Sequence, residues 1–78
     1  MVTIYSTPAC GYCAKAKEFF KSNLVSYTEH NVAEDHTRRD QMIEMTGQRK
    51  VPVLVVDGEV LVGFTENHDR LKELLSID

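Results

Sequence analysis

Ser6-Thr7-Pro8-Ala9-Cys10-Gly11-Tyr12-Cys13 contains both cysteines of the chain and joins a predicted strand to a predicted helix. The residues before it, Val2 to Tyr5, are mostly β-branched or aromatic and predict a short strand. After it, apolar residues recur at helical spacing and predict the inner face of an amphipathic helix, namely Cys13, Ala16, Phe20 and Leu24. The two thiols are therefore expected where a strand leads into a helix.

The Cys-x-x-Cys spacing of this segment is typical of thiol–disulfide chemistry. Cysteines at i and i+3 of a helix have Cα atoms about 5–6 Å apart, a separation that a disulfide bridges without strain. The first helical turn offers unpaired N–H groups, such as those of Tyr12 and Cys13, and the positive end of the helix dipole, so it favours the thiolate form of Cys10. Cys13, on the apolar face, is expected to stay protonated. We therefore predict two catalytic residues, with Cys10 as the nucleophile and Cys13 as the resolving thiol.

The composition limits the class of protein. The chain has 78 residues, and we expect them to form a single domain spanning residues 1–78. A formal net charge of −3 argues against a nucleic-acid partner, which needs a basic face. The sequence contains no apolar run of about 20 residues and no charged-then-apolar leader, so we expect no membrane partner and a cytoplasmic location. Two cysteines are too few for a secreted disulfide scaffold, which favours a catalytic or metal-binding pair.

The middle of the chain predicts a second strand and a second helix. Val25 to Val32 has the composition of a strand. The helix is predicted from Asp35 to Thr46, with Gly47 at its C-terminus, where a positive φ is wanted. Its apolar positions are Met42, Ile43 and Met45, and the two methionines are expected to fill the core. On the first helix, Lys15 and Lys17 are expected on a solvated face.

The last third of the chain predicts a hairpin and a final helix. Val53 to Val56 and Glu59 to Val62 flank Asp57-Gly58, a pair that suits the positive φ values of a two-residue type I′ turn. Both arms are nearly all apolar, which predicts a buried sheet. The final helix is predicted from Asn67, as N-cap, to about Ser76, with its apolar face at Leu71, Leu74 and Leu75.

The predicted element order is β-α-β-α-β-β-α. The first β-α-β unit is expected to be parallel with a right-handed crossover, and the last two strands antiparallel. Helices on a small mixed sheet define an α/β fold. The order of the strands within the sheet does not follow from the sequence alone.

Several motifs together resemble the glutaredoxin branch of the thioredoxin fold. They are the first strand, Thr-Pro-Ala-Cys-Gly-Tyr-Cys at Thr7 to Cys13, Val51-Pro52 before an apolar strand, and Val-Gly-Phe at Val62 to Phe64. The resemblance covers essentially the whole chain. It implies a thioredoxin fold, a four-stranded mixed sheet of order 2-1-3-4 flanked by three helices. It also implies that Pro52 is cis and lies against the cysteines, turning the backbone of Val51 outward to pair with glutathione or a disulfide-bearing segment.

The resemblance implies a glutathione-dependent thiol–disulfide oxidoreductase with no bound cofactor. Glutathione is then the reducing co-substrate, disulfide-bearing client proteins are the partners, and the protein is a monomer without a metal site. The residues expected to bind substrate or glutathione are Tyr12, Arg49, Lys50, Val51, Pro52, Gly63, Phe64, Thr65 and Glu66. Arg49 and Lys50 carry positive charge that suits the carboxylates of glutathione.

The chain departs from the family pattern in ways that leave the reductant open. Lys50 stands where glutathione-using members usually have Thr before Val-Pro. Their Gly-Gly pair is here Val62-Gly63, and their following Asp is Thr65, with Glu66 next. Gly-Phe after the hairpin also resembles redoxins that take electrons from thioredoxin reductase and pass them to a reductase such as ribonucleotide reductase.

Two non-catalytic alternatives use the same thiols. Gly11 replaces the family's commoner proline, and some members with a non-proline residue there hold an iron–sulfur cluster between two subunits. A Cys₂His₂ zinc site would combine Cys10 and Cys13 with His30 and His36. The spacing does not suit a zinc finger, in which both histidines lie on one helix. His30 falls in a predicted strand, and the hairpin would be left unexplained.

Overall fold

Four short strands form one mixed sheet in the computed structural model, which describes residues 1–77. The elements in chain order are β1 (Val2–Ser6), α1 (Gly11–Ser22), β2 (Thr28–Asn31), α2 (His36–Thr46), β3 (Val53–Val56), β4 (Glu59–Val62), a 3-10 turn (Thr65–Asn67) and α3 (His68–Leu74). The strand order is β2-β1-β3-β4, with β1 parallel to β2 and antiparallel to β3, and β3 antiparallel to β4. The implied order 2-1-3-4 and the predicted sequence of elements are confirmed. None of the helices in residues 1–77 is long and apolar enough to cross a bilayer.

The sheet separates two apolar clusters, because successive side chains of a strand point to opposite faces. On one face Ile4, Leu54 and Leu61 pack with residues of α1 and α3, including Phe20 and Leu71. The other face is smaller and packs against α2, and its buried members are Tyr5, Val32, Met42 and Val53.

Helix α1 is shorter than its apolar pattern predicts. Cys13, Ala16 and Phe20 are buried as expected. Leu24 is not, since the helix ends at Ser22, and Leu24 adopts a φ of 57° with its side chain 93% exposed. The prediction that Leu24 belongs to the inner face is therefore wrong. The left-handed residue turns the chain so that the N–H of Val25 donates to the carbonyl of Phe20 (2.8 Å), which closes the helix end.

The second strand is also shorter than predicted. Only Thr28–Asn31 pairs with β1, opposite Thr3–Ser6. Val25 and Tyr27 lie outside the strand but still pack against the α1 face of the core, so their apolar character reflects packing rather than strand pairing.

Helix α2 begins and ends close to the predicted residues. Asp35 is its N-cap, and the side-chain carboxylate accepts a hydrogen bond from the N–H of Arg38 (3.1 Å). Gly47 follows with a φ of 69°, as predicted. Met42 is buried, but Met45 is 43% exposed, so the prediction that both methionines fill the core is wrong for Met45. The helix contacts the sheet through a narrow stripe centred on Met42, and Met45 lies on its flank.

The hairpin has the predicted turn, with φ values of 50° at Asp57 and 87° at Gly58. Strand β3 is buried as expected, but β4 is an edge strand in which only Leu61 is fully buried and Val60 is 38% exposed. The expectation that both arms are buried is therefore wrong for β4, because nothing pairs with its outer edge within residues 1–77.

The topology brings three separate segments to one end of the sheet. Strand β1 ends at Ser6 and leads to Cys10, while the antiparallel β3 begins at the same end because Tyr5 pairs with Val53. Strand β4 ends there too, since Val53 pairs with Val62. The dithiol, the loop before β3 and the residues after β4 therefore meet.

Candidate active site

Cys10 occupies the N-cap position of α1. Its backbone is extended (φ −92°, ψ 112°), and its Sγ accepts a hydrogen bond from the N–H of Cys13 at 3.2 Å. The donor comes from one of the N–H groups that an α-helix leaves unpaired at its start. The predicted placement of Cys10 beside the helix N-terminus is thus what the structure shows, with Cys13 as the donor. The side chain is half-buried.

Cys13 is completely buried one turn further along α1. Burial, followed by the side-chain hydrogen bond with Cys10, raises the pKa of the Cys13 thiol to about 12. The backbone N–H of Thr7 and the charge of Lys17 act in the opposite direction. The two thiols therefore differ in access, and Cys13 remains a neutral thiol at ordinary pH.

The peptide bond between Val51 and Pro52 is cis, as the resemblance implied. Val51 faces the dithiol, and as a thiol Cys10 donates through Sγ to the carbonyl of Val51 at 3.7 Å. Pro52 is buried, and its carbonyl accepts from the N–H of Gly63 at 2.8 Å, which ties this loop to the end of β4. Within residues 1–77 the N–H of Val51 donates to no acceptor, so it is available to a bound molecule.

A surface groove of about 360 Å³ starts beside Val51 and extends past the end of β4. Its lining residues are Tyr12, Lys50, Val51, Pro52, Val62, Gly63, Phe64, Thr65 and Glu66. The structure therefore brings together eight of the nine residues expected to bind substrate, and Arg49 is the one outside the lining. Val62, which that set did not contain, is part of the wall because it directly precedes Gly63.

Gly63 and Glu66 form one end of the groove. Gly63 has a φ of 92°, and a Cβ at this position would overlap the carboxylate of Glu66, so the backbone and that side chain are in close contact. Asn67 anchors the same segment, because its side-chain amide donates to the carbonyls of Val62 (2.7 Å) and Gly63 (2.9 Å).

Asn67 corrects a further prediction. Its side chain makes no capping hydrogen bond to α3, which begins at His68 and ends at Leu74 rather than Ser76. The amide is committed to the groove segment, and a 3-10 turn at Thr65–Asn67 directly precedes α3. The sequence did not predict that Asn67 stabilises the site, because an asparagine before an amphipathic helix predicts an N-cap.

Aromatic side chains border the groove. Tyr12 is 56% exposed, and the Nζ of Lys15 lies 5.3 Å from the centre of its ring. Phe64 packs against Phe19 and His68, with ring centres 5.5 Å away from each. Tyr12 is accordingly free to contact a substrate, whereas Phe64 is held by its neighbours.

Lys17 lies in an ion pair rather than on a fully solvated face. Its Nζ donates to Oε2 of Glu29 at 2.9 Å, and the hydroxyl of the buried Ser6 donates to the same oxygen at 2.7 Å. No sequence pattern predicts this cluster, because its members come from α1, β2 and β1 and meet only in the folded chain.

The histidines of the zinc alternative do not gather around the cysteines. The ring of His30 packs on Tyr5, with ring centres 5.3 Å apart, and His36 is exposed in the first turn of α2. Among the described residues no group of three or more His, Cys, Asp or Glu side chains is placed to hold a metal ion.

An accessible thiol at a helix N-terminus, with a buried thiol one turn behind it, is suited to thiol–disulfide exchange. On a four-stranded sheet of order 2-1-3-4 with three helices, it defines a thiol–disulfide redox protein of the thioredoxin fold. The family model named Glutaredoxin matches residues 2–61, so the chain belongs to the glutaredoxin family.

Similar proteins agree with this assignment. An uncharacterized glutaredoxin-like 8.6 kDa protein in the rubredoxin operon of Clostridium pasteurianum is 42% identical over 66 residues, covering 85% of this chain and 88% of the relative. Glutaredoxin 3 of Escherichia coli K12 is 32% identical over 62 residues, covering 80% of this chain and 75% of the relative. Among solved structures, the thioredoxin-like protein BC3987 is similar with a TM-score of 0.85 and 34% identity, covering 95% of this chain and 99% of that one.

Proposed function

We propose that this protein is a glutathione-dependent thiol–disulfide oxidoreductase that reduces glutathione mixed disulfides and protein disulfides. The observation that carries the proposal is the position of Cys10. Its Sγ contacts the carbonyl of Val51, which lines the groove, so a molecule lying in the groove places a sulfur next to the nucleophile.

The charges around the groove support glutathione as the occupant. Glutathione carries two carboxylates and one ammonium group along an extended peptide backbone. Lys50 offers a cation to a carboxylate, Glu66 offers a carboxylate to the ammonium, and the N–H of Val51 offers a backbone donor. This arrangement supports an extended zwitterionic thiol as substrate.

The chemistry follows from the different environments of the two thiols. The Cys10 thiolate attacks the glutathionyl sulfur of a mixed disulfide, and the client's sulfur leaves and takes up a proton. A glutathione thiolate then attacks the same glutathionyl sulfur, which forms glutathione disulfide and restores the Cys10 thiolate. With a protein disulfide, Cys13 instead attacks the Cys10 sulfur of the mixed disulfide. The client is released as a thiol, and two glutathione molecules reduce the resulting Cys10–Cys13 disulfide.

A second reductant, thioredoxin reductase, is favoured by one observation. The Glu66 carboxylate lies against Gly63, in a segment where the resemblance expects a second glycine and an aspartate. The Glu66 side chain there covers the backbone of Gly63 and leaves less of it for a peptide such as glutathione to pair with. If this contact prevents glutathione from binding, the chain acts as a redoxin that thioredoxin reductase keeps reduced and that passes electrons to a reductase such as ribonucleotide reductase.

NADPH consumption in two coupled assays separates the two functions. One assay contains glutathione, glutathione reductase and a small mixed disulfide, and the other contains thioredoxin reductase and the same substrate. We expect turnover in the first assay. Turnover in the second alone would assign the redoxin function instead, and no turnover in either would contradict both.

A pair of neighbouring substitutions tests the groove itself. Lys50→Gln is expected to raise the KM for glutathione by up to about fivefold, since an exposed ion pair contributes up to about 1 kcal/mol. Arg49→Gln removes the same charge one residue away but outside the groove lining, so its KM is expected to change much less. Equal KM values for the two variants would contradict the placement of glutathione beside Lys50.

A further inference from the structure

The cluster of Ser6, Glu29 and Lys17 lies on the α1 face of the sheet, next to the buried thiol. Lys17 follows Cys13 by four residues on α1, so the two side chains share one face of the helix. Ser6 directly precedes Thr7, whose backbone lowers the pKa of the Cys13 thiol. Glu29 pairs in register with Ile4 of β1, which places its side chain on that same face.

The geometry points to Lys17 as a positioning residue for the resolving step: its ammonium group, anchored by Glu29 and Ser6, stabilises negative charge as it develops on the Cys13 sulfur. This inference goes deeper into the function proposed above and rests on it only for the identity of the natural substrate. The dithiol exchange that it concerns takes place with any disulfide that Cys10 can attack.

The anchor explains why the lysine stays near the thiol. The Glu29 oxygen that accepts from Lys17 (2.9 Å) also accepts from Ser6 (2.7 Å), whose side chain is 1% exposed. A buried hydroxyl on the last residue of β1 therefore fixes the carboxylate, and the carboxylate fixes the end of a lysine that is otherwise flexible. Lys15, one turn from Gly11 on the same helix, lies over the ring of Tyr12 instead.

The groups around Cys13 shift the pKa of its thiol in opposite directions. Burial and the hydrogen bond with Cys10 raise the pKa of the Cys13 thiol, and Lys17 lowers it. Glu29 faces Lys17 from β2, and hydrogen bonding from Lys17 and then from Ser6 lowers the pKa of Glu29. Tyr27 and Lys21 lie near this pair. Because Glu29 stays ionised, it serves as an anchor rather than as a proton acceptor.

The step balances without any further reactant. The Cys13 sulfur attacks the Cys10 sulfur of a mixed disulfide, the Cys10–Cys13 bond forms, and the bond to the departing sulfur breaks. The proton of the Cys13 thiol ends on the departing thiolate. A nearby ammonium group lowers the free energy of this step by favouring the charge that Cys13 gains as the proton leaves.

The test follows the reaction of the reduced protein with 5,5′-dithiobis(2-nitrobenzoate) by stopped flow. The first release of coloured thiolate reports attack by Cys10, and the second reports resolution by Cys13. Cys13→Ser identifies the phases because it retains only the first. We expect Lys17→Gln to slow the second phase by roughly threefold to tenfold, which corresponds to a rise of about 0.5 to 1 in the pKa of the Cys13 thiol. The pH profile of the second phase is expected to shift to higher pH. The first phase is expected to change little.

Three comparison variants distinguish this electrostatic role from a merely structural one. Lys21→Gln removes the same charge one turn further along α1 and is expected to leave the second phase within about twofold of the parent protein. Lys17→Arg is expected to restore the rate. Glu29→Gln keeps a side-chain oxygen that can accept from Lys17 and Ser6 but removes the counter-charge, so the second phase is expected to be as fast as in the parent protein or faster. If the ion pair is only structural, Lys17→Gln and Glu29→Gln are expected to slow the second phase to the same extent, and that result would overturn the inference. Equal rates of the second phase for Lys17→Gln and Lys21→Gln would overturn it as well.

Inactivity in both NADPH assays leaves this test intact, since it uses neither glutathione nor a reductase.

Discussion

Two chemically identical side chains have different environments because Cys10 is partly exposed and Cys13 lies in the core. Cys10 is half-buried at the start of α1, beside the carbonyl of Val51 and the groove. Cys13 is completely buried beneath it. The Cys-x-x-Cys spacing predicted this difference in environment, since i and i+3 on an amphipathic helix place one residue at the N-cap and the other on the inner face. It did not predict the anchor around Lys17, because Glu29 reaches it only through the pairing of β2 with β1.

The protonation of Cys13 makes the stability of the reduced protein depend on pH. Its folded pKa of about 12 lies above its ordinary value of 9.0, so the folded state holds the proton more tightly than the unfolded state. The stabilisation from the neutral thiol is present below pH 9 and is lost as the pH rises toward 12. The free energy of unfolding is therefore expected to fall more steeply above pH 9 in the parent protein than in Cys13→Ala.

Denaturant unfolding of both proteins, under reducing conditions at a series of pH values from neutral to alkaline, measures this difference. The two proteins differ only at residue 13, so the contributions that their other ionisable groups share cancel in the comparison. A stability difference between the two proteins that stays constant up to pH 11 would mean that the Cys13 thiol is not held in its neutral form by burial.

At the scale of elements, the existence of each helix and strand was predictable, but several ends were not. Gly47 and the Asp57-Gly58 pair are local signals, and the structure confirms both. The local patterns at Leu24 and Asn67 predict the wrong helix end and the wrong hydrogen bond, because contacts in the folded chain override them. Leu24 continues an i, i+4 series but adopts a left-handed conformation after α1, and Asn67 bonds backward to β4 instead of forward to α3.

An alanine substitution at Leu24, compared with one at the buried Leu71 of α3, tests the corrected end of α1. Leu71→Ala, at a completely buried position of α3, is expected to lower the free energy of unfolding by about 2–5 kcal/mol. The same substitution at Leu24, which is 93% exposed, is expected to change it by less than about 0.5 kcal/mol. Denaturant midpoints at neutral pH measure both effects. A large loss of stability in Leu24→Ala would mean that Leu24 packs in the core, contrary to the structure.

Leu24→Gly distinguishes a left-handed helix terminus from an ordinary exposed site. Glycine adopts a positive φ without a steric cost, so this substitution is expected to raise the free energy of unfolding by about 1 kcal/mol. A glycine placed in an exposed right-handed helical position lowers stability by a similar amount. A decrease on Leu24→Gly would therefore contradict the left-handed backbone at this residue.

At the scale of the whole molecule, the strand order creates the site. The end of β1, the start of β3 and the end of β4 lie at the same end of the sheet. Cys10, Pro52 and Gly63 therefore meet although they are far apart in sequence. The sequence predicted which segments contribute, through the resemblance carried by Val51-Pro52 and Val62-Gly63-Phe64. It also predicted Arg49 as a binding residue; in the folded loop Lys50 lines the groove and Arg49 lies outside that lining, so a binding role for Arg49 stays a prediction.

The central claim is that Cys10 forms the covalent intermediate and that Cys13 resolves it. The most direct measurement is mass spectrometry of single-cysteine variants after exposure to glutathione disulfide, with the modified residue located by peptide mapping. We predict that Cys13→Ser accumulates one glutathionyl group on Cys10, whereas Cys10→Ser, whose remaining thiol is buried and neutral, stays unmodified at neutral pH. Modification of Cys13 in Cys10→Ser at a comparable rate, or an unmodified Cys10 in Cys13→Ser, would contradict the account.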